Sequence, residues 1–347
     1  MSDRHPIPVL MRLMLHLLVL LVVVAALLFG YTRWQTGRIE ALYPPVGSFV
    51  ELDGYRMHVV HEAAEGGDLP PIVFLHGASG NLRDQLTAFR QPLMGRAELL
   101  FVDRPGHGYS ERGGPENAYP DGQARAVAAV MDKLGIERAI ISAHSFGAAI
   151  AASFALQFPE KTAGLLFLAP ATHAWPGGVA WYYGVARSSF TGAAFTSLVS
   201  LPVGMGRVAS GTRCVFAPNP MPADYAEETA PALVLRPSAF RYNATDVANL
   251  NAYVKGASRQ YPDIDAPTII ITGTRDDVVA PEIHSRGLER DIADAKLIRI
   301  ANMGHKPDYV ANDLAVAAIE VLAGMERDLD GLADAVEARV ADDDEKC

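Results

Sequence analysis

The chain has 347 residues, 50% of them hydrophobic, which is enough for one large α/β domain with an insertion or for two domains. Its formal net charge at pH 7 is −10, and residues 326–347 alone contribute −6, with nine acidic residues against three basic ones. The rest of the chain is close to neutral, so the charge indicates no surface for nucleic acid.

Neither the cysteines nor the glycines indicate a metal or a cofactor. Cys214 and Cys347 have no metal-binding or redox spacing, and a disulfide between them is the less favoured interpretation, so they do not define a compartment. The G-x-G at residues 106–108 lacks the third glycine, the helix start and the later acidic residue of a dinucleotide-binding loop. We therefore expect a protein that needs no cofactor.

The first predicted element is a membrane helix. Residues 13–29 are apolar apart from His16, and at about 1.5 Å per residue they span about 26 Å, close to the ~30 Å of a hydrocarbon core. A cleaved signal peptide is the alternative. The run is longer than the usual apolar region of a signal peptide, and bulky side chains stand where a cleavage site should lie. We favour an uncleaved transmembrane anchor, with residues 1–32 as tail and span.

Arginines flank the apolar run on both sides, at Arg4, Arg12, Arg33 and Arg38. This balance leaves the orientation open. We adopt the common arrangement for such anchors, with a short tail inside and the bulk of the chain on the extracytoplasmic side. Residues 33–46 are expected to be a juxtamembrane linker. An alternating pattern on both sides of Asp53-Gly54 predicts a β-hairpin, so the folded body begins at residue 47.

Beyond the hairpin, short apolar strands alternate with helical patterns. With the two hairpin strands, the prediction is eight strands. The other six are 71–75, 98–102, 138–142, 165–168, 268–272 and 296–300. Near-continuous apolar strands that alternate with helices are typical of a mostly parallel sheet with helices on both faces.

The alternation stops over residues 171–262, which have little strand pattern and frequent prolines. We interpret this stretch as a helical cap inserted over the C-terminal edge of the sheet, between the core parts 47–170 and 263–325. An independent second domain is the alternative, which the return of the α/β pattern disfavours. Residues 326–347 predict an amphipathic helix followed by an acidic run.

Residues 139–149 carry the motif around which the rest is organised. An apolar strand ends, presents Ser145 and turns directly into an alanine-rich helical pattern, with Ala143 and Gly147 as small residues on either side. The stretch resembles the nucleophile elbow of the α/β-hydrolase superfamily, G-x-S-x-G, with Ala143 in place of the first glycine. The resemblance covers about residues 47–322, with an H-G loop, a D-R-P-G-H-G-Y-S turn, a G-x-x-D turn and a G-H in order.

A serine hydroxyl is a poor nucleophile at neutral pH and needs a base, together with an acid that orients the base. Of the ten histidines, only His305 directly follows the last predicted strand, and we expect it to be the base. The turn after the preceding strand reads G-T-R-D-D and resembles the one that carries the superfamily's acid. Asp276 fits the spacing from the glycine, Asp277 fits the spacing to the following proline slightly better, and we favour Asp276. The order Ser145, Asp276, His305 is that of the superfamily.

The oxyanion donors are expected to be backbone groups. One is the N–H of Phe146 at the start of the helix, and the other is the N–H of Ala78 in the loop after the first parallel strand. The apolar, aromatic cap indicates a hydrophobic substrate group. The candidate pocket residues are His76, Trp175, Trp181 and Tyr182, although His76 fits a structural hydrogen-bonding role better.

The resemblance implies a serine hydrolase that cleaves an ester of a hydrophobic small molecule or lipid through an acyl-enzyme. The epoxide hydrolases and haloalkane dehalogenases that this sequence also resembles attack an sp³ carbon with an aspartate at the elbow. Ser145 instead implies acyl transfer. The same three residues would also serve hydrolytic C–C cleavage, thioester hydrolysis or perhydrolysis. A protein of another class, a membrane-anchored binding protein without activity, is disfavoured by the complete set of residues. The oligomeric state is not predicted.

Overall fold

The computed structural model describes residues 8–347, so Arg4 and the rest of the predicted tail up to residue 7 lie outside the described residues. Its sheet has eight strands in the order β1-β2-β4-β3-β5-β6-β7-β8. The strands are β1 Ser48–Glu51, β2 Arg56–Glu62, β3 Ile72–Leu75, β4 Leu99–Val102, β5 Ala139–His144, β6 Thr162–Leu168, β7 Thr268–Gly273 and β8 Lys296–Ile300. The β1–β2 and β2–β4 pairs are antiparallel and all other pairs are parallel, which confirms the predicted mostly parallel sheet.

The central strands are apolar throughout because both of their faces are covered. Every residue of β3, β4 and β5 is buried. Along β3, Val73 and Leu75 belong to one apolar cluster, whereas Ile72 and Phe74 belong to a second. Since successive side chains of a strand point to opposite faces, these clusters are the cores on the two sides of the sheet.

Helices account for most of the remaining chain. They are α1 Val9–Leu42, α2 Leu82–Leu93, α3 Pro120–Leu134, α4 Phe146–Gln157, α5 Trp181–Arg187, α6 Gly192–Phe195, α7 Leu201–Met205, α8 Val208–Phe216, α9 Tyr225–Thr229, α10 Pro237–Ala257, α11 Pro281–Asp291, α12 Pro307–Val310, α13 Asn312–Leu322 and α14 Leu329–Val340. Their ends follow local rules. The Asn81 side chain accepts a hydrogen bond from the Arg83 N–H at the start of α2, and Gly135 ends α3 in the left-handed conformation.

Helix α1 is longer than the apolar run that predicts it. Among the described residues it is the one helix long and apolar enough to cross a membrane. It continues to Leu42, into the segment expected as a linker. Its last turns are packed rather than free, because Thr32, Gln35 and Ile39 are buried.

Six helices, α5 to α10, lie in the 171–262 stretch, which we call the insertion. The longest of them, α10, packs along α5 and reaches both α3 and α4 of the core through neighbouring contacts and hydrogen bonds. The insertion also packs on α1, where Ile39 shares an apolar cluster with Leu201 and Leu233. The insertion is therefore in contact with both the core and the N-terminal helix.

The two cysteines form a disulfide, so the expectation that they are unpaired is wrong. The predicted amphipathic helix of the tail forms α14, whose Leu329, Val336 and Val340 are buried against the core. The chain then turns back toward α8, where Cys347 meets Cys214 across 133 residues of sequence. Spacing along the chain could not reveal this pair, because only the packing of α14 brings the C-terminus to the insertion.

Removal of the disulfide should destabilise the fold, because the cross-link restricts a long loop of the unfolded chain. For Cys214→Ser combined with Cys347→Ser, we expect the free energy of unfolding of the detergent-solubilised full chain to fall by about 2–4 kcal/mol in denaturant titrations. A reductant should lower the stability of the wild-type chain and leave that of the double variant unchanged. Equal responses of the two proteins to reductant would contradict the pairing.

Candidate active site

Ser145 stands at the junction of β5 and α4 in a conformation that few residues adopt. Its φ is +53° and its ψ is −117°, and its side chain is almost completely buried. Gly147 makes this turn possible, because a Cβ at that position would lie 2.5 Å from the carbonyl oxygen of Leu75 at the end of β3. Ala143, at the place of the other small residue, is fully buried in the core. The strained turn therefore lifts a single hydroxyl above the sheet.

The structure brings Ser145, His305 and Asp276 into one hydrogen-bonded chain. His305 Nε2 lies 3.0 Å from Ser145 Oγ, and His305 Nδ1 lies 2.7 Å from Asp276 Oδ2. The other carboxylate oxygen of Asp276 accepts hydrogen bonds from the backbone N–H groups of Val278 and Val279. Asp277 is exposed and Asp276 is buried, so Asp276 is the carboxylate that contacts the histidine.

The loop that carries His305 is fixed from both sides. The Arg275 N–H donates to the Met303 carbonyl at 3.0 Å, which ties it to the turn that holds Asp276. On the other side, Asn219 of the insertion accepts a hydrogen bond from the Gly304 N–H at 2.9 Å and donates one to the Asn302 carbonyl. The position of the histidine thus depends on the insertion as well as on the core.

The loop after β3 lies directly against the serine. A Cβ at Gly77 would lie 3.1 Å from Ser145 Cβ, so a larger residue would be tightly packed against the serine. The N–H of the next residue, Ala78, has no protein acceptor within residues 8–347. Phe146 is the first residue of α4, so its N–H has no acceptor inside that helix. Both predicted donors are thus free and next to Ser145.

Two residues of the insertion hold this loop in place. Asn243 on α10 accepts a hydrogen bond from the Ser79 N–H at 2.7 Å and donates one to the Ser79 hydroxyl. Asn81 donates from its side chain to the Thr229 carbonyl at 2.8 Å. Ser79 has a φ of +58°. The hydrogen bonds of Ser79 to Asn243 and of Asn81 to Thr229 maintain this conformation.

His76 and His107 serve the structure of the loops rather than a pocket. His76 is fully buried, with Nδ1 2.8 Å from the Gly77 carbonyl and Nε2 accepting from the Arg104 N–H. Burial, together with the nearby Arg104 cation, lowers the pKa of His76 to about 3, so the ring is neutral. His107 likewise bonds the Pro105 carbonyl and the Arg104 side chain.

A buried ion pair joins the insertion to the core beneath this loop. Arg104, after β4, contacts Asp246 of α10 at 3.3 Å, and Arg112 contacts the other oxygen of the same carboxylate at 2.6 Å. Gln123 of α3 donates a further hydrogen bond to Asp246. The Arg104 guanidinium also lies 4.4 Å from the centre of the Phe146 ring, beside the serine.

A second buried charge cluster, which we call the lysine cluster, lies next to His305 and was not predicted. It consists of Lys306, Asp84 and Asp308. The Lys306 ammonium lies 2.8 Å from an oxygen of each carboxylate. Burial works against its charge, yet Asp308 and Asp84 raise the pKa of Lys306 above its usual range. Burial also raises the pKa of Asp308 to about 6, and Lys306 only partly offsets this. In the sequence, only the position of Lys306 directly after His305 indicated that this lysine lies near the site.

His144 connects the lysine cluster to the proposed base. Its Nε2 lies 2.8 Å from the His305 carbonyl, and burial with the neighbouring Lys306 cation lowers the pKa of His144 well below its usual value. Ligand atoms of Asp84, His144 and Asp308 lie within 4.8 Å of one another, a spacing that could hold a metal ion. The Lys306 ammonium already sits between the two carboxylates, so the residues do not fit a cation.

The aromatic residues predicted for the pocket do not line one common cavity: Trp181 and Tyr182 are in contact with each other, and Trp175 packs elsewhere. Trp175 is half-buried against the core, near His284. Trp181 is 73% exposed on the outside of the insertion, so it does not line an enclosed site. Tyr182 stacks between neighbouring aromatic rings of the insertion. The adjacent Tyr183 interacts with Ser79 and Asn243, and these contacts make it the tyrosine beside the site. Burial raises the pKa of Tyr183 to about 12.

Comparisons with known proteins place this geometry in a family. A family model described as alpha/beta hydrolase fold matches residues 70–307, which is more than half of the chain. The chain belongs to the alpha/beta hydrolase fold family. The match includes Ser145, Asp276 and His305, and it extends across the insertion.

The similarity to individual proteins is moderate. The chain is 33% identical over 122 residues to a dihydrolipoyllysine-residue acetyltransferase component of an acetoin cleaving system from Cupriavidus necator, covering 35% of this chain and 31% of that protein. It is 30% identical over 122 residues to a 2-hydroxy-6-oxononadienedioate/2-hydroxy-6-oxononatrienedioate hydrolase from Comamonas testosteroni, covering 34% of this chain and 41% of that protein. The chain thus spans about a third of the length of the first curated relative it matches.

Among solved structures, the enol-lactonase from Burkholderia xenovorans LB400 is similar over 80% of this chain and 100% of its own length. The TM-score is 0.61 at 20% sequence identity. At this level of identity the likeness shows the alpha/beta hydrolase fold.

The lysine cluster should be essential for stability, since its removal leaves two buried carboxylates without a cation. We expect Lys306→Met to lower the free energy of unfolding by about 3–5 kcal/mol in urea titrations. The matched control is Lys161→Met, which removes a lysine from the ion pair with the exposed Asp132 and should cost about 0–1 kcal/mol. Similar losses of unfolding free energy in the two variants would show that the lysine cluster contributes no more to stability than a partly exposed ion pair.

Proposed function

We propose that the protein is a serine hydrolase that cleaves an ester of a hydrophobic small molecule or lipid. The observation that carries the proposal is the hydrogen-bonded chain in which His305 lies 3.0 Å from Ser145 Oγ and 2.7 Å from Asp276. In this alpha/beta hydrolase the serine is the nucleophile, the histidine is the general base and the aspartate orients the histidine.

The proposed reaction has two halves. His305 Nε2 takes the Ser145 proton as Oγ attacks the substrate carbonyl, and the oxyanion of the tetrahedral intermediate accepts hydrogen bonds from the Ala78 and Phe146 N–H groups. His305 then gives the proton to the leaving alcohol, which leaves an acyl-enzyme. Water, activated by the same histidine, hydrolyses that ester and regenerates the serine. Asp276 stabilises the imidazolium in both halves.

The insertion is proposed to act as a cap over the site. Its Asn243 holds the loop of one oxyanion donor, and its Asn219 holds the loop of the base. The half-buried Tyr182 and Tyr183 and the nearby Phe240 form an aromatic cluster above Ser79, which favours a hydrophobic acyl or alcohol group. We expect neither metal nor cofactor to take part.

Hydrolytic C–C cleavage is the second candidate. It is supported by the similarity to the 2-hydroxy-6-oxononadienedioate/2-hydroxy-6-oxononatrienedioate hydrolase of Comamonas testosteroni, which is limited to 34% of this chain. Thioester hydrolysis and perhydrolysis would use the same residues. A panel of esters, thioesters and vinylogous diketones separates these reactions, since fold alone does not.

The roles of the three residues can be tested with a matched pair of aspartates. Asp276→Asn should lower kcat/KM for a short p-nitrophenyl ester by about four orders of magnitude, because the histidine loses its orienting carboxylate. Asp277→Asn, one residue away and exposed, should leave kcat/KM within about threefold of the wild-type value. Ser145→Ala should abolish labelling by a fluorophosphonate probe.

Three results would contradict these roles. Labelling of the Ser145→Ala variant would exclude Ser145 as the nucleophile, and equal losses at the two aspartates would exclude Asp276 as the orienting acid. A folded wild-type chain that neither reacts with the probe nor hydrolyses any ester would instead support the binding-protein alternative.

We further propose that α1 is an uncleaved membrane anchor and that the hydrolase body lies on the extracytoplasmic side. Residues 13–29 of α1 are mostly exposed and apolar, while its last turns are built into the insertion. The Cys214–Cys347 disulfide supports the orientation, because disulfides persist in oxidising compartments. Tyr31 and Trp34 suit the headgroup region that follows the span.

The anchor has a direct test. After expression in bacteria, the full-length chain should stay in the membrane pellet after carbonate extraction, because an apolar span is not released by high pH. Protease added to intact spheroplasts should digest the body. Release by carbonate would contradict the span, and protection from the protease would contradict the orientation.

A further inference from the structure

The insertion carries an apolar helical run on the side that meets α1. The run Gly192–Met205 holds no charged side chain and is one of two shorter apolar helical runs among the described residues. Its Leu201 is buried against Ile39 of α1. Its Val199 and Val203, by contrast, are 38% and 53% exposed. The run is therefore held against α1 while part of its apolar surface faces outward.

The contact with α1 sets the distance between this run and the proposed membrane. Ile39 follows Phe29, the last residue of the apolar span, by ten residues, which is about 15 Å along a helix. Between them lie Tyr31 and Trp34, both exposed and both of the kind that sits among headgroups. The run thus lies at the level of the headgroups or just outside them.

The distribution of charged residues also favours contact between the insertion and a membrane. Residues 171–223 include three arginines, Arg187, Arg207 and Arg213, and no acidic residue, although the whole chain has a net charge of −10. Residues 30–39 of α1 add two more arginines and no acidic residue. These two stretches, which end just before Asp224 and Glu40, are positive and suit the anionic headgroups of a bilayer.

The same segment exposes large aromatic side chains. Phe190 is 93% exposed and Trp181 is 73% exposed, and Trp181 lies against Phe195 of the apolar run. Single exposed apolar residues are common, but several large ones on one segment that also carries arginines suit an interaction surface. We call the exposed side chains of Trp181, Phe190, Val199 and Val203 the docking face.

A cleft of about 750 Å³ opens between α1 and the insertion, lined by Leu42 of α1 and by Met205 and Ala232 of the insertion. The wall beside Ala232 continues into Thr229, whose carbonyl accepts the hydrogen bond from Asn81. Asn81 belongs to the loop that carries Ala78. The wall of the cleft is thus connected to the loop beside Ser145 through Thr229 and Asn81.

We infer that the docking face rests on an anionic bilayer and that the substrate is a lipid ester drawn from that bilayer, with its acyl chain entering through the cleft. The inference rests on the proposed hydrolase function and on α1 as an anchor. It assigns the insertion a second role, as the surface that admits membrane-resident substrate.

The test compares two substrates on the full-length chain reconstituted in phosphatidylglycerol-containing vesicles. One is a fluorogenic long-chain acylglycerol within the vesicles, and the other is a soluble short-chain p-nitrophenyl ester. Phe190→Asp combined with Val203→Asp should lower the rate on the acylglycerol about tenfold, because the face no longer enters the bilayer. The rate on the soluble ester should stay within about twofold, which also shows that the variant folds.

Two further variants sharpen the result. Met94→Asp is the matched control, since Met94 is 53% exposed like Val203 but ends α2 at the opposite edge of the sheet, and both rates should be unchanged. Ala41→Trp narrows the cleft from the α1 side and should slow only the acylglycerol.

Unchanged acylglycerol hydrolysis by the double Asp variant would overturn the inference. It would also be overturned if that variant only lost self-association, since the face would then bind a second copy of the chain. A wild-type chain that hydrolyses the soluble ester but not the acylglycerol would refute the lipid substrate and leave the proposed hydrolase intact. If neither substrate were hydrolysed, the proposed function itself would fail.

Discussion

The close approach of α4 to the end of β3 is the constraint on which the site depends. Gly147 lies so near the Leu75 carbonyl that no larger residue fits. Because the helix must start there, the chain has to turn sharply at Ser145, which accepts a φ of +53°. The same crossing brings Gly77 against the serine and so determines where the neighbouring backbone donors lie. The nucleophile, its strain and its oxyanion loop follow from one backbone contact.

Buried charge connects parts of the chain that are far apart in sequence. Asp246 of the insertion pairs with Arg104 and Arg112 of the core, and the lysine cluster links the loop of His305 to α2. The attraction within such a pair offsets the free-energy cost of desolvation only when further hydrogen bonds satisfy the charged groups. The hydrogen bond from Gln123 to Asp246 is one example. Each of these pairs is adjacent to a loop that bears a proposed active-site residue, so they fix the position of these loops as well as contributing to stability.

The sequence was sufficient for the features that depend on local pattern. Strand composition predicted the eight-stranded sheet, and the turns that follow strands predicted which residues meet at its edge. Spacing alone could not choose between Asp276 and Asp277; burial of one and exposure of the other decides which contacts His305. The Cys214–Cys347 pair and the contact between Lys306 and Asp84 could not be predicted, because they join residues that are 133 and 222 positions apart. The exposure of Trp181 could not be predicted either, because aromatic composition does not distinguish the inner face of an insertion from its outer face.

The last turns of α1 and Cys347 are both attached to the insertion. Helix α1 joins it through the Ile39 cluster, and Cys347 joins it through the bond to Cys214. With Asp246 as a third point of attachment, the insertion cannot swing away from the core as a rigid body without breaking a covalent bond or exposing buried charge. Passage of substrate then has to come from rearrangement of the short helices between these points. A label attached next to Cys347 would lie beside α8, whose last residue, Phe216, is close to Gly304 in the loop of His305, so a label at this position is not neutral.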